Sequence, residues 1–108
     1  MPFNVQLTAG AALDLEDIHD DISERHSSAE ADYVLKRIER ASGGLSEHPH
    51  RGSYPKELLD LGIRDYREVF FKPYRIIYRV VESNVYVLLI ADGRRDMQSL
   101  LQRRMLGV

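Results

Sequence analysis

No cysteine occurs in the 108-residue sequence. That excludes a disulfide framework, thiolate metal sites and thiol nucleophiles, and it suits a reducing compartment, so a cytoplasmic location is expected. Nor does any uncharged apolar run approach the roughly 20 residues that a membrane helix needs. The start, Met1-Pro2-Phe3-Asn4, has no basic stretch followed by an apolar one, so neither a signal peptide nor a membrane partner is expected. Glycine-rich phosphate loops, the G-x-S-x-G elbow and the H-E-x-x-H helix are all missing, and no cofactor is expected. His48 and His50 form the only close histidine pair. Pro49 between them disfavours convergence of the rings and no third ligand is near in sequence, so no metal site is expected there.

Apolar residues make up 44% and charged residues 30% of the chain, which fits a folded domain and not a disordered chain. The length is that of one domain, spanning residues 1–108, with one hydrophobic core. The net charge of −2 hides an asymmetry. Residues 1–71 carry 8 Lys and Arg against 14 Asp and Glu; residues 72–108 carry 7 against 3. The C-terminal third is therefore the expected functional pole, with an anionic ligand.

The apolar periodicity divides the chain. Phe3 to Leu7 alternates as a short strand does, and Thr8 is placed to cap a helix. Ala11, Leu15, Ile18 and Ile22 recur at helical spacing, with Asp14, Glu16, Asp17, Asp20 and Asp21 on the opposite, solvated side. Ser27-Ser28-Ala29-Glu30 has the capping-box pattern and opens a second helix with Ala31, Val34, Leu35, Ile38 and Ala41 on one stripe, ended by Gly43-Gly44. Glu47 to Pro55 reads as the main loop. Strand-like stretches follow at Tyr66–Phe71, Tyr74–Val81 and Val85–Ala91, separated by turns at Lys72-Pro73 and Glu82-Ser83-Asn84. Asp96–Met105 reads as a last helix with Met97, Leu100, Leu101 and Met105 on one side. The expected fold is α+β, ordered β-α-α-β-β-β-α, with a helical hairpin on one face of a small antiparallel sheet. Ile76, Tyr78 and Val80 project to one face, and Arg75, Ile77, Arg79 and Val81 to the other. The hairpin covers only one face, so the other is expected to stay open for a protein partner unless the last helix covers part of it.

Four segments carry a family resemblance: Tyr66-Arg67-Glu68-Val69, Pro73-Tyr74-Arg75-Ile76-Ile77-Tyr78-Arg79-Val80, Val85-Tyr86-Val87-Leu88-Leu89-Ile90 and Gly93-Arg94-Arg95-Asp96. Together they resemble the RelE/ParE toxin superfamily, in its ParE-like plasmid-stabilisation branch. The likeness covers nearly the whole chain and is specific from Tyr66 onward. It implies the growth-inhibiting toxin of a type II toxin–antitoxin pair, held inactive in a hetero-oligomer by a cognate antitoxin from a neighbouring reading frame.

One branch of that superfamily cleaves mRNA on the ribosome without a metal; the ParE branch inhibits DNA gyrase. Cleavage needs cations to stabilise the phosphorane and groups that move protons. By resemblance Arg75 and either Arg94 or Arg95 stand where the cleaving branch binds phosphate, and Lys72 could add charge. The positions near the R-R-D motif that carry Tyr or His in cleaving relatives hold Gly93, Met97 and Gln98, none of which transfers protons. The ParE-like reading, gyrase inhibition, is therefore preferred to the ribosome-dependent endoribonuclease with ribosome and mRNA as partners. A detoxified interaction module is the third reading. Arg75, Tyr78, Arg79, Arg94, Arg95, Met97 and Leu101 are the expected target- or antitoxin-binding residues.

Overall fold

The structure, a computed structural model, describes residues 2–106. The elements are β1 (Asn4–Leu7), α1 (Ala9–Arg25), α2 (Ser28–Gly43), α3 (Lys56–Leu59), β2 (Arg67–Phe71), β3 (Tyr74–Val81), β4 (Asn84–Asp92) and α4 (Met97–Met105), with a 3-10 turn at Gly44–Ser46. The expected order is observed, with α3 added after the Glu47–Pro55 loop, in a stretch where no element is expected. Both helix starts are capped as their residues predict. The Thr8 hydroxyl accepts from the Ala11 amide and the Ser27 hydroxyl from the Glu30 amide, each satisfying one of the orphan donors of a first turn.

The sheet runs β1-β4-β3-β2. β2, β3 and β4 form the antiparallel meander, with Ile76 opposite both Val69 and Ile90. β1 joins β4 in parallel, Asn4 opposite Asn84 to Leu7 opposite Val87. The sheet is thus mixed where a purely antiparallel one is expected from periodicity, because alternation reports which face a residue takes and not which neighbour its strand pairs with.

The α1–α2 hairpin covers one face. Ala11, Leu15, Ile38 and Leu45 pack there against Val69, Ile76, Tyr78, Val85, Val87 and Ile90. The second face, expected to lie open, is closed by the chain itself. Leu58 of α3 and Met97 and Leu101 of α4 bury Ile77, Leu89 and Ala91, with Ile63, Tyr66 and Met105 flanking. An open apolar face therefore gives no ground for a partner here. A register shift at Ile77/Tyr78 makes both cores possible. Leu88 is the extra residue of a bulge, and the alternation of β4 changes phase across it. Val85 and Val87 before it serve the hairpin core, and Leu89 and Ala91 beyond it serve the second.

The β3–β4 turn holds Glu82 at φ 56, in the left-handed region that costs an L side chain about 1–2 kcal/mol. Glu82 is exposed and no hydrogen bond of its side chain offsets that cost among the described residues. Glu82→Gly is expected to raise stability by about 0.5–1 kcal/mol in urea unfolding, the relief less the extra chain entropy of glycine. A loss of stability would show that the side chain helps the turn.

Candidate interaction surface

Arg75 lies on the second face of β3 and is occupied. Its Nε donates to Glu68 Oε1 at 2.7 Å, and its two terminal nitrogens donate to the two oxygens of Glu57 at 2.9 and 2.8 Å. The Arg75 side chain is 12% exposed and Glu68 7%. Three of the five guanidinium donors are spent on two carboxylates, one bidentate. The three groups protonate unequally. Pairing with Glu57 raises Arg75 further above its ordinary value, and hydrogen bonding to Arg75 lowers Glu57. Glu68 is raised, because burial and the nearby Glu57 charge outweigh its share of the guanidinium. Glu68 could have been found from strand register: Phe70 faces Arg75, which puts Glu68 two residues along on the same face. Glu57 carried no such signal.

Tyr78 is fully buried in the hairpin core, and its hydroxyl accepts from the Gly52 amide at 3.1 Å. Burial pushes that hydroxyl up. Met97 and Leu101 are buried under α4. These three are core residues, not a contact surface: they sit on the stripes that α4 and β3 turn inward. The residues left at the surface are Lys72, Arg79, Arg94 and Arg95.

The turn that carries Lys72 and the corner that carries Arg94 and Arg95 lie side by side. Tyr74 pairs with Asp92, and the Gly93 amide donates to Pro73 O at 2.8 Å, so the β2–β3 turn lies beside the β4–α4 corner. A side chain at Gly93 would press on Arg75 Cδ at 2.8 Å, so glycine is what lets the corner close over the clamped arginine. Arg94 is 81% exposed and folds back on Asp92, with Nε to Oδ1 at 3.0 Å; this pairing lowers Asp92 and raises Arg94. Arg95 is exposed and makes no ion pair among the described residues. Asp96, the last residue of the R-R-D motif, caps α4 through Ser99. Tyr74, near this corner, has its hydroxyl raised by burial and then by Asp92. Arg79 stands apart, five residues or about 17 Å along β3 from Tyr74. No three His, Asp or Glu groups among the described residues are close enough to hold a metal, and no described helix is long and apolar enough to cross a membrane.

A helical hairpin over a four-stranded sheet, closed by a C-terminal helix behind an R-R-D corner, defines a RelE/ParE-type toxin fold. The chain of the P. aeruginosa chromosomal ParDE system superposes with a TM-score of 0.71 at 20% identity, over 83% of this chain and 95% of that one. One from the Mycobacterium tuberculosis toxin–antitoxin complex RelBE2 superposes at 0.58 with 24% identity, over 85% and 99%. In sequence, residues 5–97 match the family described as ParE toxin of type II toxin-antitoxin system, parDE. Toxin ParE3 of Caulobacter vibrioides is 30% identical over 91 residues, which is 84% of this chain and 87% of that protein. The chain belongs to the ParE toxin family of type II toxin–antitoxin systems.

Proposed function

We propose that this ParE-type toxin arrests growth in the cytoplasm by binding a protein target, DNA gyrase, and that a cognate antitoxin neutralises it. The observation that carries this reading is the state of Arg75. The resemblance puts this arginine where the cleaving branch grips phosphate, but here Glu57 and Glu68 already hold it. With both acids ionised the cluster has a net charge of −1, which repels a phosphodiester. A phosphate would have to displace a bidentate carboxylate from a largely buried site. The relatives' descriptions support the antitoxin: the superposed chains come from a ParDE system and from a RelBE2 toxin–antitoxin complex.

The contact surface of this reading is the corner of Lys72, Arg94 and Arg95, exposed cations on two adjoining turns. Expression of the chain alone should change plasmid topoisomers and induce the DNA-damage response. Discrete cuts within mRNA codons, with normal supercoiling, would instead establish the ribosome-dependent endoribonuclease. Arg94→Ala/Arg95→Ala should reduce growth inhibition at least tenfold with unchanged urea unfolding, since both side chains are at the surface. Full toxicity in that variant would move the active surface elsewhere.

A further inference from the structure

A second basic site lies near the far end of β3, away from the R-R-D corner. His50, Arg64, Asp65, Arg67, Arg79 and Val80 line a cavity of about 250 Å³. Three guanidinium groups and one carboxylate give it a formal charge of +2 with His50 neutral, on a chain whose total is −2. Its cations are held ready. Arg67 donates to Gly52 O at 2.8 Å and to the Tyr54 hydroxyl at 3.2 Å, and its plane lies over the Tyr54 ring at 4.6 Å. Arg79 lies over the Tyr66 ring at 5.9 Å. Aromatic faces fix guanidinium orientation at little cost in donors.

The donors that remain are unspent. Arg79 reaches Asp65 only at 3.9 Å, outside hydrogen-bonding distance, and is 48% exposed. Arg64 is exposed and makes no ion pair or hydrogen bond among the described residues. This contrasts with Arg75, whose fork is filled by carboxylates of its own chain. A cavity of this size with free arginine forks suits one or two carboxylates bound bidentately. Nucleic acid suits it less well. A strand brings a phosphate with every nucleotide, and Asp65 lines the cavity while Glu47 and Glu82 lie within three residues of its lining. The cations form a compact anchor, not a track.

We propose that this cavity anchors an acidic segment of the antitoxin, with Arg64 and Arg79 as the gripping residues and Arg67 as a fixed cation behind them. The proposal rests on the toxin–antitoxin reading above. It is tested on the full chain with the antitoxin of the adjacent reading frame, by measuring affinity across a salt series for the wild type and for Arg64→Glu/Arg79→Glu. Urea unfolding serves as the control for folding. The variant should bind roughly 100-fold more weakly at low salt, as when a close interfacial charge pair is broken, with a shallower salt dependence. Charge reversal of the matching antitoxin acid should restore part of the loss. Unchanged affinity and salt dependence in a folded variant would overturn the proposal while leaving the toxin–antitoxin reading standing. No complex with the wild-type chain would overturn both. A single-stranded oligonucleotide that binds the wild type but not the variant, with antitoxin affinity unaltered, would also overturn it and assign the cavity to nucleic acid.

Discussion

Arg75→Ala should lose about 3–5 kcal/mol of folding stability, the cost of breaking a buried ion pair by removing one partner. The substitution leaves Glu57 and Glu68 facing each other, one of them almost fully buried, with no cation between. Against a typical total of about 5–15 kcal/mol this is a large fraction, and the melting temperature should fall by on the order of 20 °C. The loss should shrink in mild acid, where one of the two carboxyls protonates. Removing all three polar groups together, Arg75→Met/Glu57→Leu/Glu68→Leu, should recover much of the stability, because an apolar replacement abolishes the desolvation cost as well as the attraction. Urea unfolding of the two variants decides the matter. A loss below about 1 kcal/mol in Arg75→Ala would mean that the cluster is held by something other than charge.

The two acids of that cluster should respond to pH in opposite directions. Glu57 has a lowered value in the folded chain, so its contribution is complete above its unfolded value and is lost as pH falls through the folded one. Glu68 has a raised value, so the native state takes up its proton before the unfolded chain does, and stability rises as pH falls towards the unfolded value. At pH 7, Glu68→Gln should therefore cost less than about 1 kcal/mol and Glu57→Gln more, since the latter breaks the bidentate pair. A consequence follows for function: loss of toxicity in Arg75→Ala would report unfolding, and the exposed Arg94 and Arg95 are the informative positions.

The second large effect is expected at the free half of β4. β1 pairs with β4 only as far as Val87. Beyond it, two side chains take the place of a strand. Asp14 Oδ2 accepts the Ile90 amide at 2.9 Å, and Arg104 donates to Leu88 O at 2.8 Å while gripping both oxygens of Asp14 at 2.9 Å. Asp14 thus joins α1, β4 and α4. Asp14→Ala strands a backbone donor and a partly buried guanidinium at once and should cost about 2–3 kcal/mol, below the fully buried figure because both side chains keep some exposure. Arg104→Ala leaves Asp14 still bonded to Ile90 and should cost about 1 kcal/mol less. Amide exchange at Ile90 should quicken in Asp14→Ala and change little in Arg104→Ala. Equal losses in the two variants would show that the carboxylate acts only through the arginine. Gly10 belongs to the same arrangement: a Cβ there would lie 2.8 Å from an Arg104 terminal nitrogen.

The helical stripes and caps of α1 and α2, the limits of β3 and the two meander turns were all legible in the residues. Each is a local property, a matter of spacing or of one side chain reaching one amide. The R-R-D motif and the Tyr74–Val80 strand likewise point to the toxin family by resemblance alone. What could not be read was which arginines are free. Arg75, Arg79, Arg94 and Arg104 look alike in sequence. In the fold Arg75 is clamped by acids 7 and 18 residues away and Arg104 by an acid 90 residues away, whereas Arg79 keeps unspent donors. Tyr78, Met97 and Leu101 were expected as contacts and are core, because the helical hairpin covers Tyr78 on one face and α4 turns Met97 and Leu101 onto the other. The sequence by itself determined every element but α3, and the family. Only the tertiary structure decided which charges stand free at the surface, because a charge is available to a partner only where no acid of its own chain has been folded against it.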